Sequence, residues 1–148
     1  MTASGNDKAS EKAYVLDEQA GFLLRLAYQR HMAIFSERMT GGLTATQFST
    51  LFRLREVRGP VSQNALGRMA GMDAATTKGV VTRLIARGLI RLEKDGEDKR
   101  RHLLSTTQAG RDLLDELVPQ MRAITEATLA PLSPEEQATF LALLKRLI

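Results

Sequence analysis

The segment LIARGLIRLEKDGEDKRRHLLSTTQAG, Leu84–Gly110, decides the fold of this chain. Its first residues end a helix at Gly88, because glycine is the preferred residue just after a helix C-terminus. Apolar and charged residues alternate over 89–94, which predicts a strand, and 101–105 predicts a second strand returning beside the first. The Asp95-Gly96 pair between them is a turn signal. The segment therefore predicts a helix followed by a two-stranded β-hairpin.

Two short helices are predicted before this hairpin. Ser62 is a suitable N-cap for a helix that ends before Gly71, and Asp73 is a suitable N-cap for a helix over Ala74–Arg87. Two helices joined by a tight glycine turn form a helix-turn-helix, and a basic hairpin after them makes it a winged helix-turn-helix. The predicted fold class is mainly α with a small β-hairpin wing: a winged helix-turn-helix lobe plus further helices.

Positive charge is concentrated in the same part of the chain. The 148 residues include 21 Lys and Arg and 17 Asp and Glu, for a formal net charge of +4. Nine of these basic residues and five of the acidic ones lie between Ser62 and Leu104, so this segment carries the whole excess. Such an excess indicates a polyanionic partner, although it is also found on ordinary solvated surfaces.

The winged helix-turn-helix supplies candidate DNA contacts. The N-terminal half of the Ala74–Arg87 helix would enter the major groove, where short side chains let the backbone approach the DNA closely. The hairpin tip would lie along the minor groove, with Arg100 as the inserted side chain and Asp98 holding it extended. A charged hairpin that only keeps the protein in solution is the alternative. The candidate DNA-binding residues are Ser62, Gln63, Ala75, Thr76, Thr77, Lys78, Thr82, Arg83, Asp98, Lys99, Arg100 and Arg101.

Long helices flank the winged lobe on both sides. Apolar residues recur at helical spacing over about 15–39 and about 107–148, and Ser133-Pro134-Glu135-Glu136 marks the start of the last helix. These helices carry more apolar surface than a lobe of about 60 residues could cover, which indicates a partner. Residues 1–12 are small and polar, so we expect a disordered tail, then one domain over 13–148 with its DNA-binding lobe at about 44–105.

These motifs resemble the multiple-antibiotic-resistance regulator (MarR) family of bacterial transcription factors, and the resemblance covers nearly the whole chain. Its most specific part is the opening segment, where Asp98 and Arg100 match the family's wing and Thr107 and Gly110 match the start of its next helix. Thr106 departs from the pattern, since family members usually have Leu there. We expect only a small change in packing from that difference.

The resemblance implies a homodimer. The first helix and the last two helices of each chain would interleave as a dimerisation base, and two winged lobes would bind a palindromic operator in double-stranded DNA. Two-fold symmetry would then place the half-sites about one helical turn, roughly 10 bp, apart.

Members of the family often release DNA when a small aromatic acid binds between the dimer base and the DNA lobe. The segment RLAYQRHMAIF, Arg25–Phe35, is the expected lining, because His31 lies on an otherwise apolar face with hydrogen-bond donors nearby. The alternative is that His31 is a core or interface histidine and the arginines form salt bridges within the dimer. The candidate ligand-binding residues are Arg25, Tyr28, Gln29, His31, Phe35 and Phe48.

The stretch LDEQAGFLLRLAYQRH, residues 16–31, also resembles regulators of aromatic-acid breakdown in proteobacteria, including those for nicotinic acid and its hydroxylated derivatives. This resemblance implies a repressor of a catabolic operon that a nicotinate or hydroxybenzoate derivative releases from DNA. The alternative is a winged-helix regulator or architectural protein that binds DNA without a small-molecule effector.

Several other classes of function are not expected. The absence of cysteine excludes disulfides, thiolate catalysis and sulfur-based redox sensing. The sequence has no Gly-x-Ser-x-Gly motif or glycine-rich phosphate loop, and no metal ligands at suitable spacing, so neither an enzyme nor a cofactor is predicted. The N-terminal residues lack the apolar run of a signal peptide and no apolar run is long enough for a membrane span, so we expect a cytoplasmic protein with no membrane partner.

Overall fold

The computed structural model describes residues 12–148, which form six α-helices and three β-strands. This confirms a mainly α fold with a small β wing, whereas the predicted disordered tail lies outside the described residues except for Lys12. In chain order the elements are α1 (Ala20–Arg38), α2 (Ala45–Glu56), β1 (Val61–Ser62), α3 (Gln63–Ala70), α4 (Ala74–Ala86), β2 (Ile90–Lys94), β3 (His102–Thr106), α5 (Gln108–Leu129) and α6 (Pro134–Lys145).

The first helix differs from its prediction as one helix over about 15–39. A 3₁₀ turn at Leu16–Glu18 precedes it, and Gln19 between them is extended, with φ −88° and ψ 130°. The Gln19 side chain donates a hydrogen bond to the Val15 carbonyl at 2.8 Å. This local bond stabilises the extended residue, and α1 therefore begins only at Ala20.

Side-chain caps fix the starts of the later helices. The Ser133 hydroxyl accepts the Glu136 amide hydrogen at 3.2 Å, and the Glu136 carboxylate accepts the Ser133 amide hydrogen at 2.8 Å. These bonds form the predicted capping box of α6 and lower the pKa of Glu136. Thr44 and Gln47 form the same arrangement at the start of α2.

The wing contains one strand more than predicted. The antiparallel sheet has the order β1-β3-β2, with β3 in the centre. Both hairpin strands begin one residue later than predicted. Leu89 precedes β2 because it completes the C-terminus of α4: its amide donates to the Leu84 carbonyl at 3.0 Å. Gly88 before it has a φ of +70°, as is common where a helix ends. The additional strand, β1, pairs Val61 with Leu104.

The hydrophobic core joins the winged lobe to the first half of α5. Leu51 of α2, Leu66 of α3, Leu84 of α4 and Leu104 of β3 are completely buried in one cluster. Leu114 of α5 belongs to the same cluster and is equally buried. The lobe core therefore includes the first half of α5, which the sequence analysis assigned to the dimerisation base.

The helix α5 runs without interruption from the lobe to the far end of the molecule. It has 22 residues, and Pro119 lies inside it. Ile124 and Leu129 are buried along its second half. Among the helices of 12–148, none is both long enough and apolar enough to cross a membrane.

A close backbone contact fixes the start of α5 against the end of α4. The Thr107 hydroxyl donates to the Gly88 carbonyl at 2.6 Å and accepts the Gly110 amide hydrogen at 3.1 Å. A Cβ atom on Gly110 would lie 2.2 Å from the Leu89 carbonyl oxygen and 2.9 Å from Cγ2 of Thr106. Only glycine fits here, because the first of these contacts is with backbone.

Replacing Gly110 by Ala is expected to destabilise the protein by about 1 to 3 kcal/mol, since the added methyl group must displace backbone. Urea unfolding measures the loss. Gly79→Ala is the matched control, because no atom lies within 4 Å of a Cβ at this helical glycine. The control should be neutral or slightly stabilising, and equal stability of the Gly110→Ala variant and the parent would contradict the close contact.

Candidate nucleic-acid interface and effector cavities

The helix α4 begins at a charged cap. The Asp73 carboxylate accepts the Thr76 amide hydrogen at 2.7 Å, and this bond lowers the pKa of Asp73 below its ordinary value of 3.8. A carboxylate at this position also interacts favourably with the positive end of the helix dipole. Asp73 therefore fixes the first turn of α4, the helix that the sequence predicts to enter the major groove.

One face of α4 is exposed and lined by small side chains. Ala75, Thr76, Lys78, Thr82 and Arg83 are all exposed, as direct contact with DNA would require. The Thr82 hydroxyl donates to the Lys78 carbonyl at 2.8 Å, which leaves its oxygen able to accept. The face therefore combines small side chains with two cations, so it could approach a nucleic-acid backbone closely.

Thr77 is a correction to the predicted set. It is only 2% exposed, and its hydroxyl donates to the Asp73 carbonyl at 2.6 Å. Its side chain packs against Gly67 of α3, where a Cβ atom would lie 2.5 Å from the Thr77 hydroxyl oxygen. Thr77 therefore sets the close crossing of α3 and α4 and is not available for direct contact with DNA.

The start of α3 and the end of α4 also hold their side chains in defined positions. The Ser62 hydroxyl accepts the Ala65 amide hydrogen at 3.2 Å, so Ser62 caps α3, and Gln63 follows it, half-buried. The Arg87 guanidinium donates to the Gly41 carbonyl at 3.1 Å. Arg87 thus ties the end of α4 to the loop between α1 and α2.

The wing turn presents a nearly free arginine. The Asp98 carboxylate accepts the Arg100 amide hydrogen at 3.0 Å and lies 3.7 Å from Nε of the same arginine. The Arg100 side chain is 96% exposed. Lys99 and Arg101 on either side of it are exposed as well. The turn therefore holds Arg100 by its backbone and its Nε while its guanidinium end stays accessible.

The six candidate effector-binding residues do not line a single cavity. Tyr28 and His31 line a cavity of about 540 Å³ between α1, α5 and α6. Phe48 is in the core and lines a separate cavity of about 390 Å³ between α2 and α5. Phe35 is 5% exposed and lines neither cavity. Of the six candidate residues, only Tyr28 and His31 line the larger cavity.

The two remaining candidates, Arg25 and Gln29, are exposed on α1 and line neither cavity. The Arg25 guanidinium lies 5.5 Å from the centre of the Phe22 ring. Sequence reasoning missed the α5 and α6 residues of the larger cavity, which only the fold brings beside α1. The cavity residues beyond Tyr28 and His31 are Leu24, Ala27, Thr125, Thr128, Leu129, Phe140, Leu141 and Leu144.

A hydrogen-bond chain orients His31 in this cavity. His31 Nδ1 lies 2.8 Å from the Thr128 hydroxyl oxygen, and that hydroxyl donates to the Ile124 carbonyl at 2.8 Å. Because the hydroxyl proton is used for Ile124, the oxygen accepts from Nδ1–H, and Nε2 of the neutral ring is left as an acceptor. Arg30 donates to the carbonyls of Thr128 and Ala127 at 2.7 and 3.0 Å, which strengthens the same contact between α1 and α5.

The arrangement defines the class of protein. An exposed helix with short side chains, a second helix packed across it and a basic wing are the parts of a winged-helix DNA-binding protein. Within 12–148 no group of three or more His, Asp or Glu residues is placed to hold a metal ion.

Comparison with known proteins gives the family. The model of the MarR family matches residues 41–101. The transcriptional repressor NicR of Pseudomonas putida is 42% identical over 136 residues, which are 91% of this chain and 85% of NicR. The chain belongs to the MarR family of transcriptional regulators, which confirms the resemblance and the expectation that it is not an enzyme.

Solved structures agree with this assignment. A probable transcriptional regulator from Pseudomonas aeruginosa is 50% identical, with a TM-score of 0.86 over 90% of this chain and 100% of that chain. BpsR of Bordetella bronchiseptica, whose DNA binding is regulated by 6-hydroxynicotinic acid, is 39% identical, with a TM-score of 0.85 over 91% of this chain and 96% of that chain.

The Asp73 cap makes stability depend on pH. Because its pKa is lowered in the folded state, the carboxylate stabilises the fold above the unfolded value of 3.8, and this contribution is lost as pH falls through the lower folded value. Asp73→Asn keeps an oxygen acceptor at the cap but cannot titrate. Urea unfolding between about pH 6 and about pH 3 should therefore show a smaller loss of stability on acidification for the variant than for the parent.

The matched control for this measurement is Glu116→Gln, an exposed carboxylate of α5 that makes no hydrogen bond or ion pair with the rest of 12–148. Its acid sensitivity should match that of the parent. Identical pH profiles for the parent and Asp73→Asn would show that the carboxylate does not contribute as its geometry indicates.

Proposed function

We propose that this regulator is a homodimer that represses a catabolic operon by binding a palindromic operator, and that a small aromatic acid releases it. The observation that carries the proposal is the combination of an exposed recognition surface on α4 and the wing with an apolar, histidine-containing cavity against α5. Genomic DNA as the target implies action in the cytoplasm.

Unpartnered apolar surface on α1 and α6 supports a homodimer. The helix α6 has no buried residue, although half of its side chains are apolar. Such surface is costly in water unless a second chain covers it, and two-fold symmetry pairs identical surfaces. The exposed large apolar residues on and beside the two helices are Tyr14, Val15, Leu16, Leu23, Leu24, Leu26, Tyr28, Phe140, Leu141, Leu143, Leu147 and Ile148. Four of them, Leu24, Tyr28, Phe140 and Leu141, also line the larger cavity, so a second chain that covers them would complete its wall.

The accessible guanidinium of Arg100 supports minor-groove recognition. Narrow A·T-rich minor grooves have a strongly negative potential, which favours an inserted arginine. The exposed residues of α4 would bind in the adjacent major groove. Two wings and two recognition helices, related by the dimer axis, would then contact the two halves of a palindrome.

Arg100→Ala is expected to weaken binding to the operator by about 1 to 3 kcal/mol, because an inserted minor-groove contact is lost. Fluorescence anisotropy with labelled DNA from upstream of the protein's own gene measures the change, with unlabelled nonspecific DNA as competitor. Thermal unfolding should be unchanged, since the side chain is 96% exposed. Asp98→Asn should give a smaller loss, and full operator affinity in the Arg100→Ala variant would refute the proposed role.

The histidine-containing cavity supports an aromatic acid as the effector. Its apolar walls suit a ring, and Nε2 of His31 can accept a hydrogen bond from a ring N–H or hydroxyl. Both NicR and BpsR are relatives, and BpsR responds to 6-hydroxynicotinic acid. A hydroxylated pyridine carboxylate offers both a planar ring and these polar groups.

His31→Asn tests the cavity directly, because the amide keeps a donor near Thr128 but removes Nε2. The variant should bind operator like the parent and need about tenfold more acid for half-maximal release, the loss expected for one buried hydrogen bond. Gln29→Ala, an exposed residue of the same helix outside the cavity, is the control. Release of both variants at the parent's acid concentration would place the effector elsewhere.

The alternative function is regulation without a small-molecule effector. In that case His31 and the apolar walls would belong to the dimer interface, and the operator would be bound equally tightly with every acid tested. A panel of salicylate, hydroxybenzoates, nicotinate and 6-hydroxynicotinate separates the two functions, because only the ligand-released repressor loses affinity.

A further inference from the structure

We propose that a cavity of about 350 Å³ on the outer face of the wing sheet binds a small molecule carrying a phosphate or pyrophosphate group. The cavity lies between the end of α2, the outer face of β2 and β3, and the first turn of α5. It shares no lining residue with the two cavities along α5 described above. Its charged lining residues are Arg55, Arg58, Arg91, Glu93 and Arg111.

The cavity keeps an excess of positive charge after its internal contacts are counted. Arg91 pairs with Glu93 at 2.8 Å, and Arg55 pairs with Asp115 at 2.7 Å. The Arg111 guanidinium donates to the Thr106 carbonyl at 2.8 Å, a bond that positions its charge without neutralising it. Guanidinium groups held in this way match the several oxygens of a phosphate.

Arg58 supplies an uncompensated cation at the rim. Across 12–148 its side chain makes no ion pair or hydrogen bond. Its backbone has φ +57°, the one non-glycine residue of this range with positive φ. Arg58 directly follows Val57, the C-cap of α2, and a left-handed residue at this position commonly ends a helix. The end of α2 thus places an unpaired guanidinium beside the cavity.

An enclosed hydroxyl lacks a partner at the same place. Ser105 lines the cavity, and its Oγ is inaccessible and has no hydrogen-bond partner within the described chain. Ser105 lies opposite Arg91 in the β2–β3 register, so the two side chains project from the same face of the sheet. A buried hydroxyl without a partner is unfavourable, and rotation of the Ser105 side chain about χ1 would let it donate its hydrogen to a ligand oxygen in the cavity.

The position of the cavity favours a small molecule over the DNA backbone. Ile90 and Leu104 project from the inner face of the sheet into the core with Leu84 of α4. Arg91 and Ser105 project from the opposite face. The sheet therefore separates the cavity from α4.

Isothermal titration with inorganic pyrophosphate at constant ionic strength tests the proposal on the full-length protein. The parent should bind one pyrophosphate per chain. Arg58→Asn removes the cation and keeps a residue that tolerates positive φ. This variant should bind about tenfold more weakly, as expected for a lost charge-assisted hydrogen bond. Arg38→Asn, which removes an exposed arginine outside the cavity, should change the affinity by less than about twofold.

Two further measurements make the outcome decisive. Ser105→Ala should weaken pyrophosphate binding, yet raise the thermal midpoint of the free protein, because the unpartnered hydroxyl is gone. Operator affinity of Arg58→Asn without pyrophosphate should equal that of the parent. The proposal is overturned if the parent does not bind pyrophosphate, or if Arg38→Asn weakens pyrophosphate binding as much as Arg58→Asn does. It is also overturned if Arg58→Asn loses affinity for the operator, because the cavity would then be a DNA contact.

Discussion

The rest of the structure depends on the contact between Gly110 in the first turn of α5 and the Leu89 carbonyl at the start of the wing. There is no room for a Cβ atom at Gly110, and the Thr107 hydroxyl bonds both the Gly88 carbonyl and the Gly110 amide. The Thr107 side chain thus caps α5 and ties it to the end of α4. Because α5 also lines the cavities of about 390 and 540 Å³, the position of α4 is fixed relative to their walls.

A second tie runs through the loop between α1 and α2. Gly41 packs so closely on Leu117 that a Cβ atom would lie 2.6 Å from that side chain, and the Gln120 amide bonds Thr40 at 2.7 and 3.0 Å. The Gly41 carbonyl accepts from Arg87 at the end of α4. The helix α4 is therefore connected to α5 at two points. In the proposed function, a ligand that displaces α5 would change the orientation of α4 through these two contacts.

The sequence predicted those features that local chemistry determines. The caps at Asp73 and Thr107, the turn of the wing and the order of helices all follow from short motifs. The two-residue strand β1 was missed because it is too short to show alternation. Thr77 was assigned to the outer face because helical spacing cannot show that Gly67 lets α3 approach it. The cavity residues of α5 and α6, such as Thr128, were missed because they are distant from His31 in sequence and meet it only in the fold.

In the proposed function, one aromatic acid and the operator weaken each other's binding to the regulator. The most direct test measures two ratios. The first is the affinity of 6-hydroxynicotinate for the free protein divided by its affinity for the protein saturated with operator. The second is the affinity of the operator for the free protein divided by its affinity for the protein saturated with acid. Linkage requires the two ratios to be equal. The acid should bind at least about tenfold more weakly to the operator complex than to the free protein, and saturating acid should weaken operator binding by the same factor. Equal affinity of the acid for the free and DNA-bound protein would contradict it.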